Sequence, residues 1–279
     1  MPQKTKALVF IIILALFFAP ALVYAEISAI NQHPELPTGC EATALTMLLN
    51  WAGVNAGKEE VVRKIPWGPR PQNGVGANPQ ERFVGDPFSI TGFGVFDVPI
   101  YKTLDSYMPG LALNLTGKPF GEILKAVESG RPVVIWITRD LEAPRRTRAW
   151  RDEKGRTVVW LAPEHAVLLI SFDSKHAVVN DPYTGETRRF PLDRLKAVWE
   201  AMGRRAVTVA FKKTEIQKGN AVFEGIIVNS RSFAPADIFP ALPAEGQRKI
   251  GDKTYVPVRE AAGLSGFKVE WDGRNVILR

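Results

Sequence analysis

One cysteine, Cys40, stands in a chain of 279 residues. A single cysteine excludes any disulfide within the chain, so a hydrophobic core must hold the fold together. With 46% hydrophobic residues, the chain can form one sizeable core and a small second domain. The thiol itself is half of an intermolecular bridge, an inert buried side chain or a reactive group.

The first 25 residues have the pattern of a secretory signal peptide. Lys4 and Lys6 precede an apolar run that closes with short side chains at Val23 and Ala25. An uncleaved membrane anchor is the alternative, because the run approaches the length that spans a bilayer. We expect a cleaved signal and an extracytoplasmic protein that meets the membrane only if the signal stays uncut.

The net charge of +7 is moderate for this length. It would allow association with anionic cell-wall polymers, and ordinary solubility explains it equally well. We predict no nucleic-acid partner. One cysteine and three histidines, His33, His165 and His176, make a structural zinc site improbable, and we predict neither a metal nor a cofactor.

Apolar periodicity predicts an α+β domain. Leu45, Leu48 and Leu49 recur at helical spacing just after Cys40. Residues 66–99, rich in glycine, proline and asparagine, predict a long ordered loop. Further helices are predicted at 58–64, 118–129 and 191–202, and strands at 133–138, 157–161, 165–172, 176–180 and 206–211.

Residues 139–156 form a charged segment with seven bases and four acids. The apolar runs on either side, 133–138 and 157–161, predict a hairpin whose tip is this segment. We interpret it as a solvated loop, with an electrostatic grip on substrate as the alternative.

A polar stretch at residues 212–219 predicts a domain boundary. We therefore assign a signal peptide to residues 1–25, a main domain to residues 26–213 and a small domain to residues 214–279. The small domain is predicted to contain strands at 221–228 and 268–278 around a helix at 258–264.

The residues around Cys40 favour an ionised thiol. Thr38 and Glu41 fit a capping box, which would place Cys40 in the first turn of a helix. Free backbone N–H groups and the helix dipole stabilise an anion there and lower a thiol pKa. Gly39 would leave room for a substrate backbone. A buried, inert cysteine explains the local pattern equally well.

His165 is the preferred base for this thiol. If the turn of the hairpin centres on Ser174, His165 comes within cross-strand or diagonal reach of Asp181. His176 lies five residues from Asp181 along one strand and is expected to be structural, and His33 is expected to be solvated. Strand parity is not fixed by the sequence, and Asp181 could instead be an Asp-Pro turn residue.

Four separated motifs resemble the C39-like peptidases, relatives of the bacteriocin-processing cysteine peptidases. They are QHPELPTGCEAT (32–43), FVGDP (83–87), EHAV (164–167) and VNDPYTG (179–185). The resemblance implies a papain-like fold, a helical part packed on an antiparallel sheet, with Cys40, His165 and Asp181 as catalytic residues. It also implies that Gln32 helps to hold the oxyanion, with Asn180 as a weaker alternative.

The last 60 residues resemble a second module. IGDKTYVPVRE (250–260) and GFKVEWD (266–272) are similar to the stalk domain named after the N-termini of copper amine oxidases, common in exported proteins of Gram-positive bacteria. Residues 214–279 contain no histidine or cysteine, so no copper is expected. A tail that completes the sheet of the first domain is the alternative.

These observations predict an exported thiol hydrolase that cleaves peptide-type amide bonds, with peptides of the cell envelope as candidate substrates. Two other functions remain open: a catalytically silent module that binds envelope components, and a thiol acyltransferase.

Overall fold

The computed structural model describes residues 27–250, 252–272 and 275–279. The predicted signal peptide, residues 1–25, lies outside them. Within the described residues, no helix has the length and apolar character needed to cross a bilayer. Helices and antiparallel sheets occur together, which confirms the predicted α+β fold class.

Six α-helices are present in the described part of the chain. They are α1 (Cys40–Trp51), α2 (Lys58–Lys64), α3 (Asp97–Tyr107), α4 (Phe120–Glu128), α5 (Leu192–Ala201) and α6 (Val258–Leu264).

The strands of the N-terminal part are β1 (Trp67–Gly68), β2 (Phe83–Val84), β3 (Ala112–Asn114), β4 (Val133–Thr138), β5 (Arg145–Arg151), β6 (Thr157–Ala162), β7 (Glu164–Phe172), β8 (His176–Asp181), β9 (Glu186–Pro191) and β10 (Ala206–Val209). The strands that follow are β11 (Phe211–Lys218), β12 (Ala221–Val228), β13 (Arg231–Pro235), β14 (Arg248–Ile250), β15 (Lys253–Pro257), β16 (Val269–Trp271) and β17 (Val276–Leu278).

A six-stranded sheet with the order β3-β10-β4-β7-β8-β9 forms the centre of the fold, and all its neighbouring strands are antiparallel. Strand β4 is buried along its whole length, because both faces of the sheet are covered. Val134 and Trp136 pack into the core that contains α1, and Val133 and Ile135 pack into the core that contains α4 and α5. This alternation follows from the two-residue period of a strand.

Helix α1 is almost entirely buried, and only one of its residues, Asn50, is exposed. Its apolar side chains share a core with Ala166 and Leu168 of β7. Burying a helix on every side fixes its position firmly, because each residue loses contact area if the helix moves. The N-terminus of α1 is thereby held against the start of β7.

The hairpin predicted around the charged segment is wrong. Strand β6 pairs with β5, which is formed by the charged segment itself, while β4 pairs with β7. Only Trp150 is buried on β5, since the other side chains of this strand are exposed. One buried aromatic residue gives no alternating apolar pattern that would identify a strand.

The long loop predicted at residues 66–99 is also corrected. It contains β1 and β2, which pair in parallel, and the first residues of α3. Proline is tolerated at Pro99 because this residue lies in the first turn of the helix, where no intrahelical acceptor is needed.

A second sheet of seven strands, with the order β14-β15-β13-β12-β11-β17-β16, occupies the C-terminal part of the chain. The predicted strand 268–278 is in fact two antiparallel strands, β16 and β17. Strand β11 spans the predicted boundary at 213/214, and Phe211 at its start stacks on Trp51 at 5.8 Å. The division into two domains stays a prediction.

Candidate active site

Cys40 is the first residue of α1, and its side chain is only 6% exposed. The thiol lies 3.4 Å from Oε2 of Glu41, and the backbone N–H of Ala166 donates to Sγ at 3.4 Å. Ala166 follows His165 in β7, so the buried start of α1 lies against the strand that carries the predicted base.

His165 and Asp181 form a buried pair. Nε2 of His165 lies 2.6 Å from Oδ1 of Asp181, and the two side chains are 4% and 1% exposed. The predicted hairpin register is confirmed, because Leu168 pairs with Asn180 and Leu169 pairs with Val179. His165 and Asp181 are therefore diagonal neighbours across β7 and β8.

The carboxyl of Asp181 is held ionised by hydrogen bonds to His165 and Arg188. Burial alone would raise its pKa, but His165 and then Arg188, whose Nη1 lies 2.8 Å from Oδ2, lower the pKa to about 2. An acceptor-only carboxylate at Nε2 fixes the tautomer in which Nδ1 is free to accept a proton.

The structure does not join the thiol to the imidazole. Within the described residues, the hydrogen-bond partners of the Cys40 sulfur are the Glu41 carboxyl and the Ala166 N–H, and the ring of His165 is not among them. The three predicted catalytic residues thus gather at one place, with the sulfur turned toward Glu41. Their roles stay a prediction.

Two carboxyl groups, the buried Glu41 and the half-buried Glu164, lie beside Cys40 and were not predicted as site residues. Glu41 is 0% exposed, and its Oε1 accepts a hydrogen bond from the backbone N–H of Val95 at 2.6 Å. Oε1 of Glu164 is buried without a hydrogen-bond partner in the described structure. One ligand atom from each of the three residues lies within 4.8 Å of the others.

This pair of acids carries strongly shifted pKa values. Burial raises the pKa of Glu41 to about 7, and the Val95 N–H only partly opposes this. Burial and then the neighbouring Glu41 raise the pKa of Glu164 well above its usual value. Ionising both carboxyls at this separation costs electrostatic free energy, so near neutral pH the pair holds at least one proton.

The same surroundings oppose ionisation of the thiol. Burial, and after it the charges of Glu41 and Glu164, raise the pKa of Cys40 well above its usual value. The expected lowering by the helix N-terminus is therefore overcome in this arrangement. The three donor atoms could also converge on a cation, but a shared proton accounts for the cluster without one.

The predicted capping box is wrong. Gly39 is the N-cap of α1 and no side chain caps the helix. Glu41 points to the Val95 N–H instead, and the Thr38 hydroxyl donates to backbone carbonyls of the loop at residues 86–89. The role given to Gly39 is also corrected, because a Cβ there would lie 2.8 Å from Leu36 and would not point into open space.

Gln32 is buried beside the loop that leads into α1. Its Nε2 donates to the carbonyls of Leu36 at 3.1 Å and Pro37 at 3.0 Å, while its Oε1 has no partner in the described structure. Both amide protons are thus engaged, so the predicted oxyanion role requires Gln32 to change its hydrogen bonds. The alternative donor, Asn180, donates to the carbonyl of Ile27.

The other two histidines have different surroundings. His176 is 41% exposed and lies 3.5 Å from Asp173 near the turn of the β7–β8 hairpin, remote from Asp181 along the strand. His33 packs edge-on against Tyr183 at 5.1 Å, and Tyr183 lies edge-on to His165 at 6.3 Å. His33 is thus at the margin of the site and is not simply solvated.

Residues 24–207 match the Peptidase_C39 like family. The chain belongs to this family. The matched segment contains Cys40, His165, Asp181 and Gln32, and it ends before the second sheet begins. The resemblance of residues 214–279 to a copper amine oxidase stalk domain stays a prediction.

Two proteins from Bacillus species are similar to this chain. A chain from Bacillus anthracis, whose crystal structure is described as that of a candidate C39-like peptidase, is 32% identical and superposes with a TM-score of 0.63. The match covers 66% of this chain and 94% of that one. The uncharacterized protein YvpB of Bacillus subtilis strain 168 is 30% identical over 177 residues, 63% of this chain and 70% of YvpB.

Proposed function

We propose that the protein is an exported cysteine peptidase that cleaves amide bonds in peptides of the cell envelope. One observation carries the proposal: a buried His165–Asp181 hydrogen bond of 2.6 Å lies next to the only cysteine of a C39-like chain. A buried imidazole that is anchored by a carboxylate is the arrangement that thiol catalysis requires.

The chemistry begins with transfer of the Cys40 proton to Nδ1 of His165. The thiolate attacks the amide carbon, and the oxyanion is stabilised by the backbone N–H of Cys40 in the open first turn of α1. The C–N bond then breaks, and the imidazolium donates its proton to the departing amine. Water, activated by His165, hydrolyses the thioester and restores the thiol.

This sequence requires the sulfur to leave Glu41. Rotation about the Cα–Cβ bond of Cys40 would exchange the hydrogen bond to Oε2 for one to the imidazole, since Ala166 already contacts the sulfur and His165 precedes it. The arrangement described above is thus the resting form of the site in this proposal.

An E-64-type epoxide tests the proposal directly. It should label wild-type Cys40, identified by mass mapping, and peptide hydrolysis should disappear in Cys40→Ala and His165→Ala. His176→Ala is the matched control, because it removes an exposed imidazole that also faces an aspartate. Failure to label Cys40, or full activity in His165→Ala, would refute the proposed role of these residues.

A silent binding module is the second candidate. The raised thiol pKa and the engaged Gln32 amide favour it, because both oppose catalysis in the resting arrangement. In that case Cys40→Ala should bind envelope peptides as tightly as wild type, with no turnover by either protein.

Export is tested separately from catalysis. Expression of the full chain in a Gram-positive host, followed by N-terminal sequencing of the released protein, should give a mature end near residue 26. A protein that stays in the cytosol with Met1 intact would contradict the export proposal.

A further inference from the structure

The acids of the charged segment are all paired with bases, and four of its arginines have no acidic partner in the described part of the chain. Asp140 binds Arg188, Glu142 binds Arg145, Asp152 binds Arg156 and Glu153 binds Arg82. Within the described residues, no carboxylate lies at ion-pair distance from Arg139, Arg146, Arg148 or Arg151, and of these Arg151 donates to the carbonyl of Gly155. The segment therefore offers unneutralised guanidinium groups to the surroundings of the site.

Arg139 lies on the His165 side of the site. Its guanidinium is 4.9 Å from the ring centre of Tyr183, which is 41% exposed and lies edge-on to His165. Its backbone N–H donates to the carbonyl of Pro163, two residues before His165. Stacking on the aromatic ring orients the guanidinium plane but leaves its N–H groups free for an anion.

Arg148 lies at another margin of the site, next to the loop that is hydrogen-bonded to Glu41. Its guanidinium is 5.7 Å from the ring centre of Phe93, which packs edge-on against Trp160. Gly94, the next residue, approaches the carboxyls of Glu41 and Glu164 so closely that a Cβ would collide with them. Arg148 thus contacts Phe93, the residue before the glycine that lies against these carboxyls.

We propose that the site accepts acidic peptides, with Arg139 and Arg148 binding substrate carboxylates near the scissile amide. This substrate class rests on the proposed peptidase function. Each guanidinium is held by one aromatic ring and lacks a protein carboxylate, so it can form a bidentate pair with an Asp or Glu side chain. Glu41 does not compete for these arginines, because it is fully buried and its Oε1 accepts from the Val95 N–H.

Hydrolysis of matched peptides measures this preference. Wild-type protein should cleave peptides with Glu on both sides of the scissile bond with a kcat/KM roughly tenfold above the Gln versions, as for exposed hydrogen bonds to charged groups. The ratio should fall as salt is raised. Arg139→Gln and Arg148→Gln should each move the Glu-to-Gln ratio of kcat/KM toward one. Arg189 is an exposed arginine paired with Asp173, so Arg189→Gln should leave the ratio unchanged.

Binding to Cys40→Ala separates this inference from the proposed function. Fluorescence anisotropy with the Glu and Gln peptides needs no turnover, and the double variant Arg139→Gln/Arg148→Gln in the same background should lose the preference for Glu. Equal affinity for the two peptides, or equal cleavage by wild type, would overturn the acidic-substrate inference alone. An unlabelled Cys40 with a retained preference for Glu would instead refute peptidase activity and leave the acidic-peptide site standing.

Discussion

The thiol of Cys40 is hydrogen-bonded to the carboxyl of its own neighbour, Glu41, at 3.4 Å. Glu41 is fully buried and its other oxygen is fixed by the Val95 N–H, so the carboxyl cannot swing away from the sulfur. A nucleophile thus rests against a group that opposes its ionisation. The pH dependence of the site should follow the charge on Glu41.

Glu41→Gln should make Cys40 more reactive. The amide keeps an oxygen for the Val95 N–H and removes the negative charge that helps to raise the thiol pKa. Each unit by which the pKa falls increases the thiolate fraction about tenfold, partly offset by weaker nucleophilicity. Alkylation by iodoacetamide at pH 7 should therefore be several-fold faster, with its pH midpoint shifted downward.

Glu122→Gln is the control for this experiment. Glu122 is an exposed acid of α4 that pairs with Lys125 at 2.8 Å, so its removal should not alter the alkylation rate. An unchanged or higher midpoint in Glu41→Gln would contradict the electrostatic role of the buried carboxyl.

The buried acids should also make stability depend on pH. The Glu41 pKa is 4.5 in the unfolded chain and about 7 in the fold, so its contribution to stability is complete below 4.5 and is lost as pH rises through 7. Asp181, with a pKa of about 2 in the fold, is ionised in both the folded and the unfolded chain above about pH 5. It therefore does not make the free energy of unfolding depend on pH in that range. Wild type should therefore lose stability relative to Glu41→Gln between pH 5 and pH 8.

Urea unfolding at these two pH values measures the effect. The difference between wild type and Glu41→Gln should change by an amount on the order of 1–3 kcal/mol, from about 1.4 kcal/mol for each unit of pKa shift. A difference that is the same at both pH values would show that Glu41 is not protonated in the fold.

The sequence predicted the β7–β8 hairpin well because its register depends on a short turn. Once the turn centres near Ser174, the cross-strand pairs follow to within the one-residue shift between Leu169 and Ser171, and this includes the diagonal approach of His165 to Asp181. The parity that puts both side chains on one face could not be predicted, because it depends on which face the core covers.

The role of Glu41 could not be predicted for a different reason. A glutamate three residues after a threonine at a helix start satisfies the capping-box pattern whatever its side chain does. Whether it binds the N–H of its own helix or that of Val95 depends on where a loop more than 50 residues away packs. The apolar surroundings of Glu41 in α1 were the only local sign that it would be buried.

Gly94→Ala should disturb the carboxyl pair. A Cβ at this position would overlap Oε1 of Glu41 and lie 3.0 Å from Oε2 of Glu164. Forcing an extra methyl group into a packed interior costs about 1–3 kcal/mol. Gly121→Ala is the comparison, because a Cβ there meets open space within α4 and should stabilise by about 0.4–1 kcal/mol. Equal stabilities of the two variants in urea unfolding would contradict the close packing around Glu41.

Asp181→Asn should reduce the kcat of peptide hydrolysis by much more than any loss of folded protein would explain. The amide can no longer hold Nε2–H of His165 as a charged acceptor or stabilise the imidazolium, and a loss in kcat of roughly 10²- to 10⁴-fold is expected for such a change. Because the Asp181 pKa is about 2, this loss should be uniform from pH 5 to pH 9. Asp173→Asn removes the carboxylate that faces His176 and should leave kcat unchanged. Matching losses in the two variants would assign the effect to general destabilisation and remove Asp181 from the catalytic set.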